Sequence, residues 1–205
     1  MPLEVVIDES RNSLCHQRFA DASKSLAAGD NQRAQDILHA VVIMPGIESR
    51  YQIQAWHLYR LLGGRPTPDL AKLVLGVIVE VGIDKGNDLL AVYADRTAHY
   101  HNHAGSVVIW KRPNESLDGL IDSVLRAAAT IADRIGPWQG MRRPPPRQDH
   151  MRLNILTPSG IHFGEGPFDQ LQRDKLAKHL VLAATNVMTR LTTLAFGPVD
   201  LFPSN

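Results

Sequence analysis

The 205-residue sequence has a single cysteine, Cys15, so no disulfide can form within the chain. One thiol fits a reducing compartment, and Cys15 reads as an inert helix residue rather than a nucleophile. No apolar run approaches the ~20 residues needed to span a bilayer. The opening MPLEVVIDES places acids where a signal peptide needs a basic start and an apolar core. The expectation is a soluble, cytoplasmic protein without a membrane partner. An excess of one charge is also missing, with 22 Lys and Arg against 21 Asp and Glu. Nucleic-acid binders concentrate a basic face. The only basic cluster, Arg142-Arg143 with Arg147, brackets three prolines and lacks interleaved aromatics, so no nucleic-acid partner is expected. The chemical motifs with complete signatures are absent as well: HExxH, CxxC, Gly-x-Ser-x-Gly and a Gly-Lys-Ser/Thr phosphate loop. Thr157-Pro158-Ser159 offers no neighbour in sequence that would activate its serine.

The composition that remains, 44% hydrophobic and 21% charged, is that of an ordinary globular protein. The length fits one domain, or a core domain with a smaller helical piece. Phe19–Ala28, Gln32–Val42 and Glu48–Leu62 read as three helices, broken at Gly29-Asp30 and Pro45-Gly46 and capped at Gly63-Gly64. Tyr51, Ala55, Leu58 and Leu62 give the third one apolar face. Gly64-Arg65-Pro66-Thr67-Pro68 marks the best boundary, separating a helical segment, 1–64, from a sheet domain, 65–196. Beyond it the period changes to two. Strands are expected within Leu73–Ile83, Leu89–Ala94, Thr97–Asn102 and Ser106–Lys111, joined by turns at Asp84–Asn87, Asp95-Arg96 and Ala104-Gly105.

A helix with a continuous stripe follows from Asn114 or Ser116 to Ile135, then a basic, proline-rich connector from Gly140 to Asp149. The Pro144-Pro145-Pro146 run reads as a stiff linker. Met151–Leu156 and Ile161–Gly164 form a second hairpin, Lys175–Leu194 a last helix, and 197–205 an irregular tail. The class is α+β: a helical hairpin plus a third helix, then an antiparallel meander with two packing helices. Strands apolar on both sides require cover on both faces. The two C-terminal helices cover one. The other calls for the N-terminal helices or a second subunit.

Leu26-Ala27-Ala28-Gly29-Asp30 with Ala34 and Leu38 resembles the helix–turn–helix of a tetratricopeptide repeat, and Trp56 to Gly63 resembles the opening helix of the next. The resemblance covers about one and a half repeats, fewer than the three that bury their own faces. It implies that these helices lean on the rest of the chain or on a partner. The order of four strands, helix, two strands and helix resembles the layout of profilin-like and roadblock-like domains, a likeness that carries no function. The segment Thr157 to Pro167, with the meander before it, resembles a group of bacterial proteins with no known activity.

Three residue sets suggest chemistry. His99, His101 and His103 alternate along one strand, so all three imidazoles are expected on one face. Two of them are zinc ligands in waiting, with Glu80, Asp84, Asp88 or His162 as further donors. Neighbours on that face lie ~6.6 Å apart along the strand and its ends roughly 13 Å apart, too far for three-point chelation by the strand alone. The reading set against metal is a solvated or partly buried polar face, with a patch that titrates near neutrality as a third. His162 and Glu165, amid glycines before a helix, could pair base with acid or contact a ligand, or form an ordinary turn. Glu80, an acid between apolar neighbours, is a candidate ligand contact or a paired carboxylate. Trp56, Trp110 and Trp138 read as packing anchors. The leading expectation is a non-catalytic interaction or regulatory module that associates with itself or with another protein, with no obligatory cofactor. The alternatives are a metal-dependent hydrolase or lyase on the histidine strand, and a small-ligand sensor with a pocket between sheet and helix.

Overall fold

A computed structural model describes residues 9–196, with side chains described from Ser13 onward; the expected tail lies outside these residues. Three helices come first: α1 (Glu9–Ala27), α2 (Asn31–Val42) and α3 (Ser49–Leu61). Gly29, at φ +78°, makes the α1–α2 turn in a left-handed conformation that a side chain would strain. The Asp30 side chain then caps α2 by accepting from Arg33 N–H at 3.0 Å. Four strands follow, β1 (Gly76–Ile83), β2 (Gly86–Tyr93), β3 (Ala98–His101) and β4 (Val107–Trp110). After α4 (Asp118–Ala132) come β5 (His150–Thr157), β6 (Gly160–Pro167), a short α5 (Phe168–Arg173) and α6 (Lys178–Phe196). The fold is α+β, as the change of period indicates. Two stretches depart from expectation: α1 begins at Glu9, ten residues before the expected Phe19, and Phe168–Arg173 forms a separate turn of helix before the last one.

All six strands join one antiparallel sheet in the order β4-β3-β2-β1-β5-β6. The second hairpin therefore adds beside β1, and β1 becomes central. Val77 and Val79 of β1, Leu90 and Val92 of β2, and Leu153 and Ile155 of β5 point to one side. There they meet Ile121, Val124 and Ala128 of α4 and Leu180, Val187 and Leu191 of α6 in the main core. The three- and four-residue spacing of these helical positions produces that packing.

The opposite face is covered by the chain itself. Asp95, in the β2–β3 turn and 3% exposed, accepts from the Ser49 N–H at 2.7 Å, while Ser49 Oγ accepts from the Asp95 N–H at 3.1 Å. Glu48, at the N-cap of α3, makes no side-chain capping bond. Asp95 thus satisfies the start of α3 from a distant turn. In the same turn Arg96 reaches Asp118 and Asp122 of α4, each at 3.1 Å. Two adjacent residues tie the helical segment to one face of the sheet and α4 to the other. The α3 side chain Ile53 lies over Gly76, where a Cβ would stand 3.4 Å from its Cδ1.

The proline-rich connector is a strap across this face, not a free linker. Trp138 N–H donates to Ile161 O at 2.7 Å at the β6 edge. Arg152 on β5 donates to Pro144 O at 2.6 Å and Arg143 O at 3.4 Å. At β1, a Cβ on Gly82 would meet Arg147 O at 2.1 Å, so only glycine lets the strap approach. Consecutive prolines suit this path because they bring no N–H that the strap would have to satisfy. Two apolar side chains of the open face remain uncovered on the edge strand β4: Val107, 48% exposed, and Ile109, 55% exposed.

Candidate functional site

Between α3 and the strap the open face forms a cleft of about 980 Å³. Its floor is the outward set of β1, β2, β5 and β6, including Ile78, Leu89, Asn154, Leu156, Ile161 and Phe163. His57 and Arg60 of α3, with Arg65 just beyond it, form one wall; Trp138, Arg142 and Arg143 of the strap form the other. Five arginines line the cleft against one carboxylate, Glu80. A formal charge near zero for the whole chain hid this local excess.

Arg152 is neutralised in place. Glu80, Arg152 and Glu165 occupy one row across β1, β5 and β6. Arg152, 4% exposed, donates to Glu165 Oε2 through Nε at 2.9 Å and Nη2 at 2.7 Å, and its Nη1 stands 3.7 Å from Glu80 Oε1. Asn154 Nδ2 adds a hydrogen bond to Glu80 Oε1 at 2.8 Å. The carboxylates are thereby spent on structure.

Arg60 differs. Its Nη1 donates to Pro158 O at 2.5 Å, an uncharged partner. Burial alone lowers its pKa, with no carboxylate acting against that effect. A guanidinium stays charged under such pressure, so the cleft holds a half-desolvated cation that an incoming anion would satisfy. Arg143 is similarly free of acids among the described residues. It lies over the Trp138 ring at 5.4 Å and the Phe163 ring at 5.6 Å.

The suggested histidine row divides. His99 and His101 share the open face, with ring centroids 6.5 Å apart. Burial, then Arg50 and His101, lower the pKa of His99, opposed by Asp95 and Glu48. His103 lies past the end of β3 and turns to Asp88, accepting nothing from the row: its N–H donates to Asp88 Oδ1 at 2.9 Å and its Nδ1 stands 3.1 Å from the same oxygen. Period-two alternation stops where the strand stops, which is why three imidazoles in sequence become two plus one. Burial would raise the pKa of Asp88, but bonds from Tyr100 and His103 bring it below the ordinary carboxylate value. Asp84 stays exposed in the β1–β2 turn. Among the described residues no three His, Cys, Asp or Glu side chains gather as a metal-holding group.

His162 and Glu165 do not meet either. Three apart on a strand, they face opposite sides of β6. Glu165 joins Arg152, whereas His162 is 0% exposed beneath the β5–β6 turn. Its Nδ1 is 2.9 Å from Ile135 O, and a carbonyl only accepts, so Nδ1 carries the proton and Nε2 is the acceptor. Nε2 faces Thr157 Oγ1 at 3.2 Å and Ser159 Oγ at 3.3 Å. This hydroxyl–imidazole contact has no sequence signature, because Ile135 joins it from the end of α4. Burial holds the imidazole below its ordinary value of 6.5; the Ile135 bond opposes that and Lys72 adds to it. Neutral His162 therefore stabilises the fold fully above pH about 6.5, and that contribution is lost as pH falls below it. Urea unfolding is expected to show a stability decline between pH 7.5 and 5.5 that His162→Gln makes shallower. An unchanged slope in the variant would remove His162 as its source.

No family model, curated protein or solved structure matches this chain. Among the described residues no helix is long and apolar enough to cross a membrane. Cys15 is fully buried between the helices, and burial raises its thiol pKa, the opposite of an activated nucleophile.

Proposed function

We propose that the chain is a non-catalytic regulatory module that senses an anionic small ligand in the cleft between α3 and the strap. Arg60 carries this reading, as a half-buried cation held by a carbonyl and facing a cavity rich in arginine. Hydrogen bonds to a charged group shielded from water are among the stronger polar contacts. The volume suits a small molecule, and the apolar floor with a few placed polar groups is the usual composition of such sites. Guanidinium groups neither give nor take protons near neutrality, Glu80 is held by Asn154, and His57 is the one imidazole among the described residues of the lining. That inventory supports binding over chemistry.

The reading also supplies a regulatory route. The two walls are attached to the same face at different strands, α3 at the β2–β3 turn and the strap at β5 and β6, so a ligand bridging them would change how firmly the helical segment is held.

Calorimetric titration with pyrophosphate and with citrate tests the proposal. At least one is expected to bind, with affinity falling as salt rises. Arg60→Met is expected to weaken it about tenfold or more, the equivalent of one charge-assisted bond. Equal affinity in the folded variant, or no binding of either anion to the wild-type protein, would overturn the assignment.

A further inference from the structure

The cleft has more than charge. Trp138 stands edge-on to Phe163 with ring centroids 4.7 Å apart, and Arg143 rests over both. Trp138 is 43% exposed even though its Nε1–H donates to Met141 O at 3.1 Å. The strap has thus fixed an aromatic and guanidinium surface at the cleft wall, where planar rings stack well. The floor adds acceptors. Asn154 Nδ2 donates to Ile78 O at 3.2 Å and to Glu80 Oε1 at 2.8 Å. Its Oδ1 accepts from no described residue, and Asn154 is part of the lining of the cleft.

These groups share a short stretch of the β5–β6 hairpin. Arg60 reaches Pro158 O at its turn, Trp138 bonds to Ile161 O, and Phe163 lies two residues on. Five residues separate Pro158 from Phe163, so at ~3.3 Å of rise per strand residue the backbone positions that hold cation and rings lie within roughly 16 Å of each other, the scale of an extended nucleoside diphosphate.

Resting on the anion-binding reading, we infer that the ligand is a free nucleoside phosphate. Its phosphates would meet Arg60 and Arg142, its base would stack at Arg143 and Trp138, and a base amino group would donate to Asn154 Oδ1. An inorganic anion would use only the first of these three features.

The test titrates the full chain with adenosine 5′-diphosphate, uridine 5′-diphosphate and inorganic pyrophosphate, followed by calorimetry and tryptophan fluorescence. Trp56 and Trp110 are buried, so a quench would report chiefly Trp138. The adenosine compound is expected to bind about tenfold or more tighter than pyrophosphate, the usual scale of one base stack. The uridine compound, without an exocyclic amine, should fall between them. Trp138→Phe should abolish the quench and narrow the advantage over pyrophosphate, and Arg143→Ala should remove that advantage. If pyrophosphate binds as tightly as the adenosine compound, the nucleotide inference fails and anion sensing stands. If none of these probes nor citrate binds folded protein, both fail. A six-residue oligoadenylate that binds about tenfold tighter than the diphosphate would also overturn the inference, by making a nucleic-acid chain the ligand.

Discussion

Arg152→Ala is expected to destabilise the protein by about 3–5 kcal/mol, the usual cost of removing one partner from a buried ion pair. The side chain is nearly inaccessible and serves four groups at once: the Glu165 and Glu80 carboxylates and the Pro144 and Arg143 carbonyls. Its loss leaves Glu165 with an unpaired charge beside an apolar floor and frees the strap from β5. Most of the effect is a penalty on what remains rather than the net contribution of the pair. Arg152→Met with Glu165→Leu should therefore recover a substantial part of the stability, because the closest pair goes together and Glu80 keeps its bond from Asn154. Urea unfolding supplies the energies, and trypsin cleavage after Arg142 and Arg147 reports the strap. A cost under about 1 kcal/mol, or a double variant no better than the single, would show that the row is not a coupled unit.

Asp95→Ala should rank second, at about 3 kcal/mol, and should act chiefly on the helical segment. The carboxylate accepts from the Ser49 N–H at 2.7 Å, the Thr97 N–H at 3.0 Å and the Thr97 hydroxyl at 2.7 Å, all buried. Alanine leaves two backbone donors without partners in a site closed to water. Because one of them starts α3, amide exchange should accelerate first in Ser49–Leu61, ahead of the central strands. Asp95→Asn retains a carbonyl acceptor and should lose less. Unchanged protection of α3 in Asp95→Ala would mean that apolar contacts around Trp56 and Leu75 hold the segment without this cap.

Much of the fold was legible because local rules agree with tertiary ones in this chain. Val77 and Val79 alternate with Ile78 and Glu80, and the sheet uses that alternation with no slip of register. Gly29, Pro45-Gly46 and Gly63-Gly64 interrupt the helices where the backbone turns. The candidate site was less legible. Glu80 was picked out as an acid among apolar neighbours and Glu165 as a partner for His162, yet their meaning lies in Arg152, which separates them across three strands. His162 stood out beside Glu165, although strand geometry puts the two on opposite faces. Arg60 was not picked out at all: on an amphipathic helix it looks like any solvent-facing cation until the β5–β6 turn closes over it.

The sequence alone determined the elements, their order and the need for cover on both faces of the sheet, since these follow from hydrophobic period and from residues that break or cap a chain. Only the tertiary structure decided what supplies that cover. The strap crosses the sheet because Gly82 permits close approach and Arg152 binds its carbonyls, while Asp95 draws α3 onto the same face from 46 residues away. The cleft is the gap between those two attachments. Its arginines come from segments far apart in sequence, and a charge cluster made that way cannot be seen in any local window.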